Sequence, residues 1–235
     1  MRYLFGTLLI TISFSLLAQE GGLKRPDIPG DVMVDVGLNF WDTSSDSLDQ
    51  KAWSSKSISI YYMKNKVLSN KFTFNYGVGL GLEKISLGNR NTLVSLEDSV
   101  LVADIPLDLT QVDIRKNKLA TTYLDVPFEL RFYPMGTEEG EGLFVSVGGV
   151  AGIRMNAHRK IKWEDINEVQ KQKNTGRFDL NSFRYGVQAR IGFKGVHLFY
   201  KQYFSNTFRN DVIVDGAAQD FNPRMTTIGI NVTGF

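Results

Sequence analysis

His158 and His197 are the residues of this chain best suited to acid–base work near neutral pH. His158 has Arg154 and Asn156 close by in sequence, and no serine or carboxylate is placed by spacing to complete a nucleophile–base pair. A histidine at the wet base of a loop is the plainer reading of it. The sequence holds no cysteine, which excludes a disulfide framework, thiolate metal sites, a cysteine nucleophile and a lipid anchor on cysteine. No cluster of metal-ligating residues is present. Gly77, Gly79 and Gly81 have the wrong spacing for dinucleotide binding and belong to a strand. The expectation is therefore no catalytic residue, no cofactor site, no metal site and no enzyme. The other chemistry-bearing set is a series of isolated charges of both signs: Asp35, Glu83, Asp125, Glu129, Arg131, Arg154, Arg184, Arg190 and Lys201.

These charges sit on alternating positions, and the alternation defines the elements that carry them. Val32, Val34, Val36, Leu38 and Phe40 interleave with Met33, Asp35, Gly37 and Asn39. Ile58, Ile60 and Tyr62 interleave with Ser57, Ser59 and Tyr61. Phe72, Phe74, Tyr76, Val78, Leu80 and Leu82 oppose Thr73, Asn75, Gly77, Gly79, Gly81 and Glu83. Leu124, Val126, Phe128, Leu130 and Phe132 oppose Tyr123, Asp125, Pro127, Glu129 and Arg131. Leu143, Val145, Val147 and Ile153 mark a fifth run, and Phe183, Tyr185, Val187, Ile191 and Phe193 a sixth. Val196, Leu198 and Tyr200 mark the seventh, and Ile228, Ile230 and Val232 the eighth. Pro127 removes one ladder hydrogen bond and predicts a local bulge.

Eight strands are thus expected, several long enough to cross a bilayer, for which about 9–11 tilted residues are needed. The connections fall near 42–56, 64–71, 88–118, 134–142, 158–178, 194–195 and 206–223. Long and short ones alternate, as in outer-membrane barrels with short periplasmic turns and long extracellular loops. The 235 residues suit one all-β domain, and the formal charge of +2 gives no electrostatic case for nucleic acid. Arg2, the apolar run from Leu4 to Leu17 and the small residue Ala18 read as a signal peptide over 1–18. An N-terminal anchor helix is the alternative. Residues 19–235 then form a single domain, with strands from about residue 30.

Alternation alone does not say which face meets lipid. The polar faces are rich in Gly, Ser and Asn, which suits a narrow lumen better than a solvated surface. The alternative is a soluble barrel with its apolar faces around a lipophilic cavity. With the termini in the periplasm, Tyr62, Phe72, Phe132, Phe193 and Phe235 fall near one rim. Phe40, Trp41, Phe183, Tyr185 and Phe204 fall near the other, as two aromatic girdles would. The inward charges are expected to pack against one another rather than line a conducting pore.

Thr122-Tyr123-Leu124-Asp125-Val126-Pro127, the glycine-alternating stretch Tyr76–Leu82, and Tyr185-Gly186-Val187 ahead of the turn at Lys194-Gly195 resemble strands of the PorT-like family of small outer-membrane β-barrels. The terminal Phe235 is similar to the ending of barrels taken up by the outer-membrane assembly machinery, although Gly234 puts it out of phase with Ile228, Ile230 and Val232. The resemblance implies a Gram-negative outer-membrane location and the barrel itself; the family's secretion role is not carried over.

The reading is an all-β, eight-stranded antiparallel transmembrane β-barrel without enzymatic activity, with a structural or interaction role through its extracellular loops. An accessory role in protein secretion or envelope assembly, or a narrow channel, are the alternatives. Expected partners are outer-membrane lipid and the assembly machinery during biogenesis; the 88–118 segment could receive a protein partner, the alternative being a hairpin packed on itself. That segment is too apolar for a solvated loop (Leu93, Val94, Leu101, Val102, Ile105, Leu107) and is expected to extend its flanking strands as a hairpin, interrupted by Pro106. Residues 159–176 are expected as a charged loop or short amphipathic helix, whose basic residues could reach lipopolysaccharide phosphates.

Overall fold

The computed structural model describes residues 30–42, 50–88, 91–95, 100–104, 113–136, 142–165, 168–193, 195–209, 212–214, 217–219 and 222–233. The expected signal segment, Pro106, Gly234 and Phe235 lie outside them.

Thirteen strands are described: β1 (Asp31–Trp41), β2 (Lys56–Ser69), β3 (Phe72–Ser86), β4 (Asn91–Ser95), β5 (Val100–Asp104), β6 (Asp113–Phe132), β7 (Phe144–Asp165), β8 (Glu168–Thr175), β9 (Phe183–Phe193), β10 (Val196–Asn206), β11 (Val212–Val214), β12 (Ala217–Gln219) and β13 (Arg224–Thr233). Eight of them, β1, β2, β3, β6, β7, β9, β10 and β13, pair in that order, and β1 with β13 closes the ring. Every pairing in the ring is antiparallel.

The expected apolar faces point outward. Val36, Ile60, Leu80, Val126, Val147, Ile191, Leu198 and Ile230 are exposed, whereas Asp35, Ser59, Glu129, Arg190 and Asn231 on the alternate positions are buried. A water-soluble barrel has the opposite arrangement, and an exposed belt of this extent is stable only against lipid. No described helix is long and apolar enough to cross a membrane; the outward apolar belt is carried by the strands of the ring. Phe72 and Phe132 pack in a tilted pair at one rim, 5.1 Å between centroids; Phe183, Tyr185 and Phe204 line up at the other. Trp41 departs from the expected girdle. It follows Phe40 by one position and so turns inward, where it packs at 6.3 Å on Phe208.

Three connections also differ from expectation. β2 and β3 continue to a tight turn at Asn70-Lys71, so residues 64–69 are strand. The described residues between 158 and 175 are strand rather than loop or helix: β7 runs on to Asp165 and pairs antiparallel with β8. The alternation there places Ile161 and Trp163 on one side and Lys160 and Lys162 on the other. In the 88–118 segment β6 begins at Asp113, and β4 and β5 form a hairpin of their own. β5 pairs in parallel with β11, which joins this segment to the connection between β10 and β13 in a second, four-stranded sheet.

Pro127 causes no bulge. Its missing N–H interrupts the β3–β6 ladder between Tyr76–Phe128 and Gly79–Asp125, yet the register is the same on both sides, and Pro127 still faces Val150 of β7. The irregularities of the β6–β7 ladder lie higher, between Thr122 and Tyr123, opposite Met155, and between Ile114 and Lys116. The periplasmic turn between β9 and β10 depends on Gly195, whose φ of +80° favours glycine.

β6 has 20 residues, which at about 3.3 Å each and a tilt near 40° rises roughly 50 Å. The apolar band of such barrels is about 25 Å tall. The upper parts of β6 and β7 therefore stand clear of the bilayer.

Candidate functional site

The lumen is built from side chains that the strand period turns inward, and it is layered. At the periplasmic end Met33, Met63, Tyr133, Phe144 and His197 are buried. His197 Nδ1 lies 2.7 Å from Asn231 Oδ1, and its ring meets Phe144 edge-on at 4.6 Å. His197 is a packing residue.

Above that layer lies an ionic network. Glu129 accepts from Arg131 Nε at 2.6 Å and from Ser146 Oγ at 3.2 Å, and faces Arg190 Nε at 3.1 Å. Arg190 donates both terminal nitrogens to Asp35, at 2.8 and 3.0 Å. Asp35 also accepts from Lys201 Nζ at 2.6 Å and Asn231 Nδ2 at 2.5 Å. Lys201 reaches the Tyr61 hydroxyl at 3.1 Å, and Tyr61 donates to Asp125 at 3.3 Å. Arg184 grips Asp125 with Nε and Nη2 at 3.0 and 2.6 Å and Glu83 with Nη1 at 3.2 Å. Its guanidinium lies between Tyr123 and Tyr203, 3.7 and 4.5 Å from the ring centroids. Asn39 then links Glu83 to Thr227 at 2.6 and 2.8 Å.

Among the described residues the buried charges balance: Asp35, Glu83, Asp125 and Glu129 against Arg131, Arg184, Arg190 and Lys201. Burial of this kind is tolerable only when each charge is paired and its hydrogen-bonding capacity used. Eight of the nine charges singled out in the sequence fall in this network. Arg154 does not: it points toward the outer end and donates to the carbonyls of Arg177 and Leu180 at 2.8 and 3.0 Å. An apolar layer closes the outer end, with Trp41, Ile85, Leu87, Leu119, Tyr203 and Phe208 among its members. Toward the outer end an open cleft of about 20 Å³, bordered by Phe183, Asn206 and Thr207, reaches Arg184 and Tyr203, with room for no more than a water.

His158 stands apart from the lumen, on the outward face of β7. Burial and the cations Lys173, Lys118 and Lys160 hold its pKa below the usual histidine value. No carboxylate is placed to orient it as a base, and no group of residues suited to a metal ion occurs among the described residues.

A closed ring of long antiparallel strands, apolar outside and ionic inside, is the architecture of an outer-membrane barrel, and the family described as "Outer membrane protein beta-barrel domain" matches residues 18–211. The chain belongs to this family. Outer-membrane barrels of the family cross the bilayer with strands, which is the arrangement of the eight-stranded ring here. Among solved structures, the chain is similar to Ail, the attachment invasion locus protein of Yersinia pestis, at 13% identity over 88% of this chain and 100% of that one, with a TM-score of 0.35. It is similar to the N-terminal β-barrel domain of Pseudomonas aeruginosa OprF at 11% identity, over 88% and 98% of the two chains, with a TM-score of 0.31. A Rhodopseudomonas blastica porin follows at 9% identity, over 87% and 99%, with a TM-score of 0.22. No curated protein matches the chain.

Proposed function

We propose that this outer-membrane barrel is a non-enzymatic, non-conducting protein whose role is structural or interactive and is exercised through its extracellular parts. The carrying observation is the filled lumen. A conducting pore needs an unpaired, hydrated lining, whereas here Arg184 and Arg190 are each held by two carboxylates and capped by apolar layers. Binding capacity therefore lies outside the lumen. The parallel pairing of β5 with β11 supports a preorganised outer platform, because it ties the 88–118 segment to the 206–223 segment. A protein partner at the 88–118 segment remains the leading occupant of that platform, by strand addition to its outer edges. Export through a signal peptide over 1–18, membership of the PorT-like subgroup and uptake by the assembly machinery belong to the same reading.

Two measurements test it. Purified protein in planar bilayers is expected to give no steady conductance; open-channel steps of fixed size would replace the plug with a narrow channel. The chain lacks cysteine, so a single cysteine placed at Val94 is a unique cross-linking site. Specific adducts on intact cells support the interaction role, and their absence alongside normal outer-membrane levels favours a purely structural one.

A further inference from the structure

The outward face of the upper barrel carries a lattice of lysines. Lys118 pairs with Lys160, and Lys160 with Lys173. Two residues further up, Lys116 pairs with Lys162, and Lys162 with Lys171. Two rungs of three lysines thus cross β6, β7 and β8, with neighbours about 4.8 Å apart along a rung and about 6.6 Å apart between rungs. Lys56 pairs with Lys84 beside them. This pair is two residues above the lipid-facing pair Ile58–Leu82, so the positive face begins where the apolar band ends.

Like charges directly opposite in a sheet destabilise it unless counter-charges are supplied. The protein does not supply them here. Among the described residues, the outward positions of β2, β3, β6, β7 and β8 from Ile58 and Leu82 up to Lys116 and Lys162 hold no carboxylate. Glu164 comes only at the far tip, and it is paired with Arg115. The lysines also repel each other: the pKa of Lys160 is lowered first by Lys171, and those of Lys84 and Lys118 first by burial and then by neighbouring lysines. Beside the lattice a cavity of about 200 Å³ is lined by Lys51, Lys84, Arg115, Lys116 and Lys118 together with Ser54 and Ser86.

We propose that this lysine lattice binds the phosphate groups of the phosphorylated glycolipid in the outer leaflet. The inference rests on the outer-membrane reading. Its height decides between ligands: a face that starts at the apolar boundary and climbs the protruding strands lies beside headgroups, and lysines there snorkel toward them. A soluble polyanion has no reason to require continuity with the lipid-facing band.

The test uses the full-length protein in phosphatidylcholine vesicles doped with fluorescent bisphosphorylated lipid A, its dephosphorylated form, or neither. Heat-modifiability is read on every sample, and enrichment of the labelled lipid around the protein is read by energy transfer. The expected result is enrichment of the phosphorylated form only. K116Q/K118Q/K160Q/K162Q is expected to lower it about tenfold or more, and K64Q/K66Q/K71Q at the periplasmic end to leave it unchanged. Equal enrichment in a heat-modifiable quadruple variant overturns the assignment. So does a lattice that binds heparin oligosaccharides in solution with no preference for the lipid. A wild-type chain that never becomes heat-modifiable overturns the barrel reading and this inference together.

Discussion

Asp35 and Arg190, 155 positions apart in sequence, meet across the lumen in a two-bond pair. β1 contributes the carboxylate and β9 the guanidinium, two strands that are not neighbours in the ring. The pair therefore forms only when β10 and β13 are already in register between them. A slip of one residue would turn Asp35 or Arg190 into lipid. The ionic lumen thus favours one register over its neighbours, a role that pairwise stability alone does not describe.

Loss of the Asp35 charge leaves Arg190 and Lys201 facing one another across a site that is almost dry. Asp35→Asn is expected to destabilise the folded barrel by about 3–5 kcal/mol, as for removal of one partner from a buried pair. Urea titration in micelles, followed by heat-modifiability, measures it. A double change of Asp35 and Arg190 to leucine and methionine is expected to cost less than Asp35→Asn alone. If the double variant costs the sum of the two single changes, the pair is not coupled.

Gly148 marks a close approach of backbones. A Cβ there would fall on the carbonyl oxygen of Phe128 and come within 2.6 Å of Glu129 Cα on the paired strand. Neither can yield without displacing Glu129 from its arginines. Gly148→Ala is expected to reduce the folded fraction sharply, whereas Gly142→Ala, where a Cβ meets open space, leaves it unchanged. Quantitative gels of folded against unfolded band compare the two.

The ring was legible because lipid imposes a strict contrast at period two. Phe72 to Leu82 could be assigned to the bilayer from side-chain type alone. The partners within the lumen were not legible: Lys201 meets Asp35 only through the stagger of the closed ring, which no local pattern encodes. Residues 159–163 do alternate, with Ile161 and Trp163 between lysines, but the charge density read as a solvated loop. Above the bilayer the outward face needs no apolar residues, so the signal that identifies strands lower down is absent. Trp41 differs from a girdle residue by a single position, since girdle and cap residues differ only in phase. Pro127 in a strand predicts a bulge because a missing donor usually shifts a ladder; here it merely interrupts one.

The tryptophans report separately on the cap and the surface. Trp53 is 85% exposed and Trp41 only 9%. In a Trp163→Phe background, acrylamide is expected to quench the Trp53 emission readily, and Trp53→Phe to remove most of the quenchable signal. Trp41→Phe is expected to remove the protected component. A Trp41 emission quenched as readily as that of Trp53 would mean that the apolar cap opens on the timescale of fluorescence.

His158 serves as an internal probe of the lysine lattice. Its pKa is lowered first by burial and then by Lys173, Lys118 and Lys160. The folded chain thus holds this proton less tightly than the unfolded chain, whose histidine titrates near 6.5. Its contribution to stability is complete above about pH 6.5 and is lost as pH falls through the lowered folded value, because the unfolded state then binds more protons. In a His197→Asn background, proton NMR of the remaining ring is expected to give a midpoint below 6.5. The K118Q/K160Q/K173Q variant is expected to raise it part of the way back, with burial accounting for what remains. An unchanged midpoint in that variant would remove the three lysines from the surroundings of His158 and, with them, the geometry of the lattice.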